Sequence, residues 1–304
     1  MSAAAKGVAA QNHASSTIEM TPLADFMGMQ IHDVDLGGEV TDTVMDAIKA
    51  ALAEHTLLLF RNQQSMEPAA HVQFSGRFGA LEHHVLQHFC LDGHPEIFVV
   101  SNIVENGKHI GAHGGSKQYH SDLAYLPEPS LGSVFRCLEC PDEGGETAFV
   151  SMFAVFDALS DERKQFLTGR SAIFDYCWDY DRRFTGIRAP LTDAQRAAVP
   201  ALPQPCVREH PDTGRPALYV SPTWVRRFDD MTEEESRPII DELMEFACQE
   251  RFTYRHQWRP GDVLIWDNRS SMHKVCEYDD ANTRRLMHRT TIKGDAPIMW
   301  RGQD

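Results

Sequence analysis

WRPGDVLIWDNRSSMHKV, residues 258–275, decides how the chain is read. Arg259-Pro-Gly-Asp262 has the composition of a tight turn, because proline presets one backbone angle and glycine tolerates a positive one. The turn joins a strand expected over Phe252–Trp258 to an apolar strand over Val263–Asp267. Just past the second strand stands His273.

Working outward, Thr41–His55 has apolar residues at Val44, Met45, Ile48 and Leu52, the spacing of an amphipathic helix, and it leads into TLLLF (Thr56–Phe60), a short buried strand. Pro68–Phe78 reads as a second helix. IFVVS (Ile97–Ser101), VFRCLE (Val134–Glu139) and Leu286–Ile292 read as strands. Thr232 followed by Glu235 forms a capping box that opens a helix toward Gln249. Short strands between turns, with helices mostly at the flanks, give a mainly β fold: a β-sandwich or jelly roll with helical decoration.

The 304-residue chain carries a formal net charge of −15. A protein that coats a duplex needs a basic surface to displace counterions, so nucleic acid is not an expected partner. An acidic chain can still bind an anion through a local cluster of arginines. No stretch approaches the ~20 apolar residues of a membrane span, so no membrane association is expected. Residues 1–16, MSAAAKGVAAQNHASS, lack the apolar run of a signal peptide and read as a mobile tail; residues 17–304 read as one domain. The seven cysteines are scattered and odd in number, which argues for a reducing, cytoplasmic setting. Cys137 and Cys140 form a C-x-x-C inside a strand-like run, with no second pair nearby to complete a zinc site.

The densest chemistry is at Tyr119-His120-Ser121-Asp122. On a strand, residues i and i+2 point to one face, so an imidazole and a carboxylate two apart can grip one ion from one side. A second histidine from a distant strand, His273, completes three ligands and leaves octahedral positions open, as in the two-His-one-carboxylate sites of non-haem Fe(II) oxygenases.

His120-x-Asp122, Thr147 after 24 intervening residues, His273, and Arg285 after 11 more follow one another in the order that resembles the taurine dioxygenase family, which also contains the phenoxyacetate-herbicide dioxygenases. RFGALE, PDEGGETAF, HPDTGRPALYV, WRPGDVLIWDNR and RRLMHRTTIKGD add to the resemblance, which runs from about Thr17 to Arg301. It implies a double-stranded β-helix, a cupin-like jelly roll, forming a single catalytic dioxygenase domain that uses Fe(II), 2-oxoglutarate as cosubstrate, and O2. By the same resemblance His120, Asp122 and His273 are the iron ligands. Arg285 holds the distal carboxylate of 2-oxoglutarate with help from the Thr147 hydroxyl, a task suited to a guanidinium fork. Arg284 is the fallback for that role. Arg289 binds the anionic group of the substrate, His84 in EHHVLQH assists it, and Trp224 in VSPTWVRRF supplies an aromatic wall. Asp267 and Asn268 are expected to order the loop carrying His273.

The sequence departs from the taurine enzymes at two places. Gln87 stands where they have a tyrosine three residues after the pocket histidine, and Gly114-Gly115-Ser116-Lys117 stands where they place an Asp-Asn pair for the amine. The expected substrate is therefore a small organic anion without a free amine: a sulfonate, sulfate ester, phosphonate, or aryloxy or alkyl carboxylate, hydroxylated next to a heteroatom with succinate and CO2 as coproducts. Halogenation is not expected, since Asp122 fills the position that halogenases of this chemistry leave open. Two other readings stand beside this one: a non-catalytic cupin-like sensor of metal or 2-oxoglutarate, and a zinc hydrolase with the same triad, against which Arg285 and Thr147 argue. A homo-oligomer is the expected assembly.

Overall fold

A computed structural model describes residues 18–84, 86–113 and 116–302. The N-terminal tail of the sequence reading, and the Gly114 and Gly115 of its amine-site argument, lie outside the described residues.

Two facing sheets make the framework. The larger has eight strands in the order Met20–Ala24, Met27–Ile31, Leu57–Phe60, Val263–Asp267, Gly132–Glu139, Leu286–Ile292, His94–Ser101 and Cys90–Leu91. Its pairings are antiparallel except that between Met27–Ile31 and Leu57–Phe60. The smaller runs Thr253–His256, Thr147–Ser151, Ser271–Val275 and is antiparallel throughout. The turn Arg259–Asp262 does not close a hairpin within one sheet. It carries the chain from Thr253–His256 in the small sheet to Val263–Asp267 in the large one. The chain then returns to the small sheet at Ser271–Val275 and to the large one at Leu286–Ile292. Repeated crossing of this kind is the double-stranded β-helix. Gly261 makes the turn possible: its φ is +86°, and an added Cβ would lie 2.4 Å from the Gln64 side chain.

Strand patterning explains why the runs LLLF and VLIW are apolar without alternation. Leu57, Leu59, Leu264, Trp266 and Phe135 face inward with Met287 and with Phe149 of the small sheet. Leu58, Phe60, Val263, Ile265 and Val134 face outward, where Met45, Ile48 and Leu52 of the helix Asp42–His55 cover them. Both faces of the sheet are buried, so both parities must be apolar. The helix begins where expected, with the Thr41 side chain accepting from the Val44 N–H. The second helix is Pro68–Gly76, and the capping box at Thr232 has both reciprocal hydrogen bonds and opens the helix Glu233–Ala247. Helices at Met152–Ala158 and Asp161–Leu167, which the sequence reading passed over, pack with Glu233–Ala247 in a third cluster beside the small sheet, and a further helix at Tyr176–Phe184 touches its rim through Tyr176 on Trp224.

One buried polar group links this framework to pH. The His71 ring is fully buried under the large sheet, and its Nε2–H donates to the Val134 carbonyl at 3.2 Å. Burial pushes its pKa down from 6.5 to about 3 against the help of that hydrogen bond, and His288 and Arg136 press in the same direction. The neutral ring is thus the folded form, while the unfolded chain takes up a proton below pH 6.5. Stability is full above pH 6.5 and is lost as pH falls from there toward the folded pKa, by about 1.4 kcal/mol per pH unit for this group. Denaturant titrations at pH 7.5 and 5.0 on wild type and His71→Gln test this. Glutamine keeps a donor for Val134 and cannot titrate, so its stability should fall less between the two pH values than that of wild type.

Candidate metal centre and its surroundings

His120 is not on a regular strand. It lies in an extended segment that makes an isolated antiparallel bridge to His273 on the edge of the small sheet, with His120 N–H to His273 O at 3.1 Å and the reverse at 2.9 Å. A turn begins at Asp122, and Leu123 has a φ of +56°. The i, i+2 argument survives because the segment is extended, and Ser121 points away to donate its hydroxyl to Ser271 O at 2.7 Å.

Several more backbone groups of the motif have partners. Thr223 Oγ1 donates to Tyr119 O at 2.7 Å, Trp224 Nε1 donates to Ser121 O at 3.0 Å, and the Asp122 N–H donates to Asn268 Oδ1 at 3.2 Å. A segment held at Tyr119, His120, Ser121 and Asp122 presents its side chains without loss of order on binding.

The three side chains converge. His120 Nε2 is 3.7 Å from Asp122 Oδ1, His273 Nε2 is 3.9 Å from Asp122 Oδ2, and one ligand atom from each residue can be chosen with all three within 4.8 Å of one another. His120 Nδ1 lies 2.9 Å from the Gln118 carbonyl, so its proton sits there and Nε2 presents its lone pair. The His273 ring packs between Trp266 and Phe149, and burial, reinforced by His120, pushes its pKa down to about 3. Asp122 is also buried. Burial alone would raise its pKa, but Arg289, His273 and His120 outweigh that and hold it well below the usual carboxylate range. Two neutral imidazoles and an ionised carboxylate, all within the protein, are a donor set ready for a divalent first-row metal with open positions.

Two arginines at the strand Leu286–Ile292 differ in their company, and one of them reaches this centre. Arg289 has one ion-pair partner among the described residues, Asp122, at 3.3 Å from NH1 to Oδ1, and its Nε is buried without a partner. Arg285 sits just before the strand Leu286–Ile292, almost fully buried, over the Phe135 ring at 5.8 Å; its Nε has no partner among the described residues. Its main chain is pinned by Asn102 Oδ1 at 2.8 Å. Arg284 instead points outward and makes a two-pronged pair with Glu139 at 2.7 and 3.0 Å. Thr147 Oγ1, on the small sheet, accepts from Trp258 Nε1 at 3.0 Å, which leaves the threonine proton to donate elsewhere. The Gly144-Gly145 bend that leads into Thr147 has positive φ at both residues, and a Cβ on Gly144 would meet Glu277 O at 2.7 Å.

The remaining expected pocket residues are close by. His84 stacks on Phe98 with ring centroids 3.8 Å apart, and Arg289 also lies over the Phe98 ring at 5.5 Å. His84 Nδ1 accepts from the Leu86 N–H at 3.0 Å, so Nε2 is the protonated, donating nitrogen. Gln87 is exposed in a 3₁₀ turn. Trp224 does two things: its N–H is committed to Ser121 O, and its ring packs on Tyr125 at 4.8 Å and Tyr176 at 6.0 Å. Sequence reading missed Tyr125 and Tyr176, the Trp258 bond to Thr147, and Ser133, whose hydroxyl donates to Asp122 Oδ2 at 3.1 Å. Tyr125, three residues past Asp122, was the findable one. Asn268 was expected to order the His273 loop, and its side chain also reaches Asp122. Asp267 does anchor that loop: it is fully buried, takes a two-pronged bond from Arg269, accepts from His210 Nε2 at 3.0 Å, and its carbonyl accepts from Ser271 Oγ at 2.6 Å.

Residues 19–291 match the family described as taurine catabolism dioxygenase TauD, TfdA family. The chain belongs to this family. As a TauD/TfdA protein it is a 2-oxoglutarate-dependent non-haem Fe(II) dioxygenase that uses Fe(II), 2-oxoglutarate and O2. Its relatives include the pentalenolactone F synthase of Streptomyces arenae, 27% identical over 94% of this chain and 99% of that one. Another is the alpha-ketoglutarate-dependent 2,4-dichlorophenoxyacetate dioxygenase of Cupriavidus pinatubonensis, 28% identical over 93% of this chain and 100% of that one. The crystal structure of AAD-2 in complex with Mn(II) and N-oxalylglycine superposes with a TM-score of 0.78 at 28% identity, covering 93% of this chain and 100% of AAD-2.

Two experiments address the centre of this TauD/TfdA fold. Ala at His120, Asp122 or His273 removes one of three converging donors, so each variant should lose succinate formation and Mn(II) binding by calorimetry; near-normal turnover in any one contradicts the triad. Arg285→Gln should raise the KM for 2-oxoglutarate tens- to thousands-fold, since a buried carboxylate left without its charged partner costs roughly 2–5 kcal/mol. Arg284→Gln, which removes only an exposed pair with Glu139, should leave that KM within about twofold.

Proposed function

We propose that the enzyme hydroxylates a small organic anion that lacks a free amine: a sulfonate, sulfate ester, phosphonate, or aryloxy or alkyl carboxylate. The observation that carries this reading is Arg289, a half-buried guanidinium whose one ion-pair partner among the described residues is itself a proposed metal ligand. A cation held so near the reacting centre, with donor capacity to spare, favours an anionic substrate. The Cupriavidus relative, named for an aryloxy acid, supports the same class.

In this reading His120, Asp122 and His273 hold Fe(II), whose chemistry with O2 supplies the oxidant. Arg285 and the Thr147 hydroxyl hold and orient the distal carboxylate of 2-oxoglutarate. Arg289 and the donating Nε2 of His84 bind the substrate's anionic group, and the ring faces of Trp224 and Tyr125 wall its apolar body and exclude water. The balance is substrate R–H, O2 and 2-oxoglutarate giving R–OH, succinate and CO2. Hydroxylation beside a heteroatom yields a product that can fragment to a carbonyl compound and a leaving group. We further propose that residues 17–304 act as one catalytic domain. Seven free thiols fit a reducing cytoplasm, and no helix of the described residues is long and apolar enough to cross a membrane.

A taurine ammonium would need a carboxylate. Lys117, from the segment where the taurine enzymes place theirs, is itself a cation paired with Glu277 at 2.8 Å. Succinate formation with Fe(II) and ascorbate, across sulfonates, alkyl sulfates, phosphonates and aryloxyalkanoates, should rank amine-free anions above taurine. Arg289→Ala should weaken the best substrate by tens-fold or more, about 2 kcal/mol or above for loss of a charge-assisted pair, with the KM for 2-oxoglutarate nearly unchanged. Selective turnover of taurine, or a neutral best substrate, contradicts the proposal.

A further inference from the structure

Asp122 is held by more than its backbone. Asn268 is fully buried and uses its whole amide: Oδ1 accepts from the Asp122 N–H at 3.2 Å and from Trp266 Nε1 at 3.1 Å, while Nδ2 donates to Ser130 Oγ at 3.2 Å and to Asp122 Oδ2 at 3.5 Å. Ser133, fully buried on the strand Gly132–Glu139, donates its hydroxyl to the same Asp122 Oδ2 at 3.1 Å. Both neutral donors thus fall on one carboxylate oxygen. The other, Oδ1, has Arg289 as its partner at 3.3 Å and faces His120 Nε2 at 3.7 Å.

We propose that Asn268 and Ser133 are positioning residues for the metal: by occupying Oδ2 they fix the plane of the Asp122 carboxylate, so that Asp122 serves as a ligand through Oδ1. A carboxylate on a free torsion can rotate, chelate with both oxygens or swing out of the site, since its terminal torsion is broad. Two donors on one oxygen remove that freedom. Trp266 fixes which way round the amide sits, because an indole N–H can only donate and so must meet Oδ1. Asn268 follows directly on the strand Val263–Asp267, a few residues before His273. One side chain therefore ties the loop leading to the second histidine to the backbone and the carboxylate of the first ligand pair. Partners of this kind commonly matter to metal affinity nearly as much as the ligands themselves.

The inference rests on the triad being a metal site, and the test separates the two. Mn(II) affinity is measured by calorimetry on the full chain, without 2-oxoglutarate or any organic anion, alongside the thermal midpoint of the metal-free protein. Asn268→Ala should weaken Mn(II) by about 10- to 100-fold and Ser133→Ala by about tenfold. Because both act on one oxygen, the double variant should fall short of the product of the two effects. Ser130→Ala, which removes a partner of Asn268 that does not touch Asp122, serves as the control for a loss of packing and should bind Mn(II) within about threefold of wild type. If Asn268→Ala does not fold, Ser133→Ala decides alone. A Mn(II) affinity within twofold of wild type in folded Ser133→Ala overturns the inference. So does weakening in Ser130→Ala as large as in Ser133→Ala. Absence of Mn(II) binding in wild type overturns the metal reading and this inference with it.

Discussion

The two backbone hydrogen bonds between His120 and His273 hold the rest of the site in place. They join a segment that belongs to neither sheet to the edge strand Ser271–Val275, and they set two imidazoles side by side with ring centroids 4.4 Å apart. Without that bridge the His-x-Asp segment would be an ordinary loop between the two sheets. Its consequences spread in two directions. On the small-sheet side, His273 is packed by Phe149 and Trp266, so the histidine cannot move without disturbing the inward-facing core. On the large-sheet side, Asp122 comes within reach of Ser133, Asn268 and Arg289, which belong to three different strands or their ends.

The order of the chain in the β-helix explains why the site needs so few elements. Each crossing from one sheet to the other passes the space between them. Thr147 comes just after the first crossing, His273 after a later one, and Arg285 at the end of the last. The residues so delivered differ in charge state by burial and company rather than by type. Arg284 and Arg285 are neighbours in sequence, yet one is neutralised by Glu139 at the surface and the other is buried with an unpartnered Nε. That difference in company comes from the fold, and no property of the two residues alone contains it.

Much of this was legible in the sequence, and the reasons are local. The helix at Asp42–His55 is written in its period and its Thr41 cap. The strands Val263–Asp267 and Leu286–Ile292 are written in their apolar and β-branched content, and the turn between sheets in Pro260-Gly261. Motif order singled out His120, Asp122 and His273, which the structure brings together, along with Thr147 and Arg285. What was not legible depends on contacts between distant segments. Nothing local says that Trp258 donates to Thr147, that Trp224 spends its N–H on Ser121, or that Asn268 reaches back to Asp122. Nor does the His-x-Asp spacing reveal a turn in place of a strand. The left-handed Leu123, with a φ of +56°, likewise runs against its own backbone preference.

The charge of the molecule and the charge of the pocket pull in opposite senses, and distance decides between them. A net −15 opposes the approach of any anion, 2-oxoglutarate included. At physiological ionic strength that repulsion is screened beyond about 8 Å, so the surface acidity has little hold on a small ligand until it is close. Inside the site the balance reverses. Arg285 and Arg289 are buried or half-buried, and among the described residues only Arg289 has a protein carboxylate beside it, that of Asp122. Aromatic rings lie against both, Phe135 at 5.8 Å from Arg285 and Phe98 at 5.5 Å from Arg289. Charges are worth several times more in such surroundings than in bulk solvent. The two guanidinium groups at the strand Leu286–Ile292 thus stand apart from the acidic exterior, which is free to serve solubility.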